Sequence, residues 1–164
     1  MPEELKKLGH FRINVNASQV WCPHLKLDIK QIERVQRSFT KRMPALLGLS
    51  YDERLRALGI ESLEHRRIYL DLVLFYKIVH GLSCITLSDI GLSAVFAVSL
   101  RNSGFKINSV FTPVSSLSLY SFSYRACKLW NALPKSFYGL SLSAFKLNLS
   151  KLDLPSLARG AMLP

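Results

Sequence analysis

At 164 residues, with 49 % hydrophobic and 20 % charged side chains and a formal net charge of +11, the chain is long enough to bury a core, which excludes a disordered polymer and predicts one domain or two small lobes. Cys22, Cys84 and Cys127 are scattered and form no CxxC pair, which excludes a disulfide scaffold and predicts a reducing, intracellular setting, nuclear or cytoplasmic. The start MPEELKKLGHFRINV lacks the apolar core of a secretory signal, and the charge-free stretches 78–88 and 90–100 fall short of a bilayer span of roughly 20 residues, so no membrane contact is expected.

Residues 1–17 carry no clear pattern and read as a lead-in. Residues 19–43 read as one amphipathic helix entered from a Trp-Cys-Pro-His turn and stopped by Pro44. At about 100° per residue, Leu25, Ile29, Ile32, Val35, Phe39 and Met43 fall on one apolar arc, expected to face a core. Lys26, Lys30, Arg34, Arg37 and Lys41 fall on the opposite side, with Arg42 beside them. One helical turn sets such cations about 5–6 Å apart, a spacing suited to successive phosphates.

Ser50 is a good N-cap for a helix over 51–58, with Asp52 and Glu53 in the first turn and Gly59 as terminator. Ser62 caps a longer helix, 63–80, closed by Gly81 and apolar almost all round from Ile68 to Val79, which predicts the central buried element. Between 82 and 100 the pattern is open: 86–89 suits the start of a short helix, and 94–100 suits a strand equally well. Residues 105–112 predict a strand, paired in a small β-hairpin near 100–119, with turn signals at Asn102-Ser-Gly104 and Thr112-Pro113. Ser121 or Ser123 caps a helix to about Leu133, Ser141 or Ser143 caps another over 144–152, and 153–164 is left as a tail. The predicted fold is mainly α, with about five helices.

Four blocks in order carry a family resemblance. They are SQVWCPHLKLDIKQIERVQRSFTKRM, LSYDERLRALGIESLEHRRIYLDLVLFYKIVHGL, RNSGFKI, and SYRACKLWNALPKS followed by SLSAFKLNLSKL. Together, over 18–152, they resemble the thumb-end and connecting region that follows the palm in reverse transcriptases of non-LTR retrotransposons of the jockey and chicken-repeat-1 type. The resemblance implies descent from an RNA-directed DNA polymerase whose basic helix lies near a template–primer duplex. Polymerase chemistry needs metal ions held by palm carboxylates, including a paired Asp-Asp. Here Asp28, Asp52, Asp71, Asp89 and Asp153 are isolated and no Tyr-x-Asp-Asp occurs. The expectation is a non-catalytic remnant of such an element, with no cofactor and no metal. Residues 1–17 and 153–164 match no part of the family, as expected of a truncated copy read from a fresh start.

The other chemical candidates are weaker. Trp21 and Trp130 sit in Val-Trp and Leu-Trp contexts, which suit core packing better than base stacking. Cys22-Pro-His24 has no companion ligands at zinc spacing in Cys84, Cys127, His65 or His80. His65 and His80 read as core or helix-end histidines. Arg66 and Arg67 have Glu64 and Asp71 nearby, so structural ion pairs compete with phosphate contacts there, and Arg125 and Lys128 are secondary candidates. The function expected is binding of an RNA or DNA backbone, an RNA–DNA hybrid included, through Lys26, Lys30, Arg34, Arg37, Lys41 and Arg42. The alternatives are a protein–protein interaction or self-association module, and a truncated element product without function.

Overall fold

The structure, a computed structural model, describes Pro23 and residues 25–96, 105–109 and 119–162. The lead-in, Trp21, Cys22, His24 and the turn signals at 102–104 and 112–113 lie outside the described residues. Among the described residues there are six α-helices and one two-stranded antiparallel sheet, so the fold is mainly α with a small hairpin. The helices are α1 (Lys26–Lys41), α2 (Tyr51–Leu58), α3 (Leu63–Val79), α4 (Phe122–Ala132), α5 (Leu142–Leu149) and α6 (Leu154–Met162); the strands are β1 (Leu92–Phe96) and β2 (Phe105–Ser109). The chain divides into two compact units, Met1–Arg67 and Ile68–Pro164.

In the first unit the helix ends follow from local sequence. Arg42 closes α1 by donating its N–H to the Phe39 carbonyl (3.1 Å). Pro44, which cannot continue the ladder, starts a 3-10 turn (Pro44–Leu46) that buries Leu46. Ser50 and Glu53 form a reciprocal capping box at α2: the Glu53 N–H donates to Ser50 Oγ (3.4 Å), and the Ser50 N–H donates to Glu53 Oε2 (2.8 Å). At the other end Gly59 takes the left-handed conformation (φ 63°), which lets the Ile60 N–H reach back to the Leu55 carbonyl (3.0 Å). Ser62 caps α3 by accepting the His65 N–H on Oγ (3.2 Å).

In the second unit the later turns of α3 run through the core, where Leu72, Phe75, Tyr76 and Ile78 are buried. Trp130 of α4 is fully enclosed, its ring centroid 5.6 Å from Phe75 and 5.9 Å from Phe145 of α5. Side chains of this size dominate core energetics, and truncating one to Ala costs about 3–5 kcal/mol. Trp130 therefore serves as core, as its Leu-Trp context predicts. Phenol groups close off main-chain carbonyls at the rim: Tyr76 donates to Leu140 (2.7 Å) and Tyr138 to Trp130 (3.2 Å). His80 stacks on Tyr76 (4.1 Å between centroids), and desolvation on that side lowers its pKa below the ordinary 6.5.

The hairpin pairs Leu92 with Ser109 at one end and Phe96 with Phe105 at the other. Of the strand expected over 105–112, residues 105–109 form β2 and 110–112 lie outside the described residues; its partner comes from the stretch the sequence pattern left open. Asn131 of α4 then acts as a substitute strand for the outer edge of β2. Its amide donates to the Ile107 carbonyl (2.8 Å), and its carbonyl accepts the Ile107 N–H (3.1 Å). The Cys127 thiol also donates to the Ile107 carbonyl (3.1 Å), and burial pushes that thiol's pKa up, away from thiolate character.

The second unit holds a buried ion pair, in which Arg125 Nε donates to Asp71 Oδ2 (2.8 Å) while Nη1 donates to the Tyr120 carbonyl (2.6 Å). Both side chains are nearly sealed from solvent, at 10 % and 1 % exposure. The pair ties α3 to α4 inside the core, which takes Arg125 out of consideration as a phosphate ligand. Residues 153–164, set apart as a tail, contain α6, which contacts α4 and buries Leu154.

Candidate nucleic-acid interface

The candidate site is the outer face of α1. Its 16 residues make a rod about 24 Å long at 1.5 Å per residue. Lys26, Lys30, Arg34, Arg37, Lys41 and Arg42 are all exposed. Among the described residues, none of the six lies in an ion pair within 4.0 Å. The two acids of the helix stand apart from the stripe. Asp28 falls on the opposite flank by helical angle, in the first turn, where the helix dipole favours it. Glu33 is turned inward and consumed by hydrogen bonds. The cationic stripe is consequently not neutralised from within its own helix.

Arg37 differs from the other five. Its guanidinium carbon lies 4.6 Å above the ring of Tyr51, and Arg54 approaches the same ring at 5.6 Å. A cation stacked on an aromatic face is held by the ring quadrupole and fixed in orientation. Arg37 therefore serves packing as well as surface charge, whereas Lys26, Lys30, Arg34 and Lys41 have no such tie among the described residues.

The inward face of α1 departs from the expectation that the apolar arc meets a core. Leu25 (55 %), Val35 (62 %) and Phe39 (36 %) are exposed, and the buried positions are Gln36 and Thr40. The packing face is rotated from the centre of the apolar arc toward Glu33, Gln36 and Thr40, because these side chains find specific polar partners. Gln36 Nε2 donates to Tyr51 Oη (3.1 Å) and to the Glu61 carbonyl (3.0 Å). The Tyr51 hydroxyl donates to the Glu33 carboxylate, and that carboxylate also accepts the N–H of Leu63 (3.0 Å), the first residue of α3. A carboxylate there both satisfies an orphan donor and faces the positive end of the helix dipole. Burial, then the Glu33 carboxylate, raises the Tyr51 pKa well above the ordinary tyrosine value. On the far side Arg54 Nε donates to Thr40 Oγ1 (3.2 Å) and its Nη1 to the Leu49 carbonyl (2.6 Å).

This polar seam was missed by reasoning from hydrophobic periodicity. The signal that finds it is the spacing of Glu33, Gln36 and Thr40 at i, i+3 and i+7, one face of a helix written in hydrogen-bonding rather than apolar residues. Its effect on the site is orientation. With Glu33, Gln36 and Thr40 held inward, the side of α1 carrying Lys26, Lys30, Arg34 and Lys41 is turned to solvent.

Of the secondary candidates, Arg67 is buried and Arg125 is in the core ion pair; Lys128 is exposed, its ammonium 5.5 Å from the Tyr124 ring centroid. His65 is half-buried near the α3 N-terminus, 3.4 Å from the Glu61 carboxylate. Among the described residues, no group of three or more His, Cys, Asp or Glu side chains is placed to hold a metal ion, and no helix is long and apolar enough to cross a membrane. No known protein family, curated protein or solved structure gives a match to this chain.

Proposed function

We propose that the chain binds the phosphate backbone of RNA or DNA through the outer face of α1, without catalysis of its own, and that it derives from the region following the palm of a non-LTR reverse transcriptase. The observation that carries the binding reading is the stripe Lys26, Lys30, Arg34 and Lys41, exposed along one face of a helix whose Asp28 lies opposite and whose Glu33 is turned inward onto Tyr51 and Leu63. The order of the four sequence blocks supports the origin. Binding by such a stripe works through release of condensed counterions, so it follows phosphate geometry and charge and tolerates sequence. A short RNA–DNA hybrid is the probe of choice.

The test uses Lys26, Lys30, Arg34 and Lys41 changed together to Gln, leaving Arg37 in place because it stacks on Tyr51. Fluorescence anisotropy at low salt should show affinity for a labelled hybrid falling about 100-fold in this variant, with the helical circular-dichroism signal unchanged. Equal affinity in the folded variant and the parent protein contradicts the proposal.

A further inference from the structure

The exposed flank of α1 has a charge order that specifies a partner. Asp28, Val35 and Arg42 succeed one another at intervals of seven residues, as do Leu25, Ile32 and Phe39. Seven residues make nearly two helical turns, with a drift of only about 20°, so these two rows lie side by side as an a/d-type seam. Leu25, Val35 and Phe39 are exposed on it, Ile32 is half-buried, and Asp28 and Arg42 are exposed at its two ends.

We infer that this flank pairs with the same flank of a second copy, helix against helix and antiparallel, about a two-fold axis passing close to Val35. The charge order selects the direction. In a parallel pair Asp28 meets Asp28 and Arg42 meets Arg42, two like-charge contacts. In an antiparallel pair centred within half a turn of Val35, Asp28 of each copy comes within one turn of Arg42 of the other, so both ends are complementary at once. Such a contact is isologous and closes on itself as a dimer. Its seam runs about 24 Å and falls in the size class of weak pairs, below roughly 1,200 Å², so the dimer fills only at high protein concentration. The cationic stripe of Lys26, Lys30, Arg34 and Lys41 lies on the other side of the helix from the seam. Arg42, at the end of the seam, is the one residue shared with the six candidate phosphate ligands, so association is measured in the absence of nucleic acid.

Sedimentation equilibrium of the full chain, freed of nucleic acid, tests it over a concentration series. The parent protein should rise from monomer mass toward twice that value. Val35→Asp, which sets two carboxylates against each other at the axis, should remain monomeric throughout. Asp28→Arg alone should weaken association about tenfold, through two lost attractions and two new repulsions. Adding Arg42→Asp to that variant should restore it, because the antiparallel pairs are re-formed with signs exchanged. Circular dichroism of each variant checks that α1 is intact. Monomer mass at every concentration, association indifferent to Val35→Asp, or a double exchange that fails to recover would each overturn the inference.

Discussion

Asp71 and Arg125 illustrate how much depends on single polar side chains in a core this small. Two charges taken out of water are tolerated because they meet at 2.8 Å and because a second arginine nitrogen satisfies the Tyr120 carbonyl. Removing one partner breaks the charge pair inside the core, so Asp71→Ala should cost about 3–5 kcal/mol, read as a drop in the urea midpoint. Replacing both residues by apolar ones of similar size should recover most of that loss, since the pair itself adds little beyond its own desolvation. A mild effect of Asp71→Ala would mean the pair is open to water. Acid sensitivity also has residue-level causes. Hydrogen bonds from Ser50 hold Glu53 below its ordinary pKa of 4.5, and those from Thr86 hold Asp89 below 3.8. A depressed carboxyl binds its proton less readily folded than unfolded. Its contribution is therefore present above the unfolded pKa and is lost as pH falls through the folded value. Stability should decline below about pH 4.5, and Ser50→Ala should flatten part of that decline while costing about 1 kcal/mol at neutral pH. An unchanged acid limb in Ser50→Ala would remove the capping box as its source.

At the scale of elements, the sequence was most informative where a cap or breaker coincides with a periodic run. Ser50 with Glu53, Gly59, Ser62 and Gly81 marked α2 and α3 almost to the residue, because each acts through local backbone geometry. The central position of α3 followed from its all-round apolar composition. The partner of β2 was harder to place, since 92–96 is a short apolar run that suits helix and strand alike, and pairing across the hairpin decides between them. In α6, set apart as a tail, a local start signal went unread: Asp153 accepts the Ser156 N–H on Oδ1 (3.2 Å) as an N-cap with Pro155 in the first turn, and burial of Leu154 adds the tertiary contact. The face of α1 was the main misreading: hydrophobic periodicity pointed to Leu25, Val35 and Phe39, while burial followed the polar seam of Glu33, Gln36 and Thr40. The two faces predict opposite mutational responses. Glu33→Ala strands the Tyr51 hydroxyl and the Leu63 N–H and should cost about 1–3 kcal/mol, whereas Val35→Ala on the open flank should stay within about 0.5 kcal/mol. Equilibrium unfolding of the two variants measures both. A larger loss from Val35→Ala would restore the apolar arc as the packing face.

Over the whole molecule, charge is the property on which the proposed binding depends most directly. The excess of +11 is unevenly distributed: residues 26–77 hold eleven basic and seven acidic side chains, while 101–164 hold eight basic groups against Asp153 alone. Excess charge in that later segment adds diffuse attraction for any polyanion, whereas α1 offers a line of cations at helical spacing, fixed by the seam beneath it. The candidate residues themselves were legible in the sequence, since a one-sided basic stripe needs only helical geometry to be seen. The dual engagement of Arg37 was not, because it depends on Tyr51 arriving from α2. Diffuse attraction and a defined stripe differ in how many counterions leave together and in which substitutions change that number.

The most direct measurement is therefore the salt dependence of binding to an RNA–DNA hybrid, for the parent chain and for the variant with Lys26, Lys30, Arg34 and Lys41 changed to Gln. Five or six phosphate contacts give a log–log slope of about −4.5 to −5.5, and removing four cations should bring it closer to zero by about 3.5. Equal slopes in the two proteins, or no binding by the folded parent at low salt, would contradict the assignment of α1 as the nucleic-acid interface.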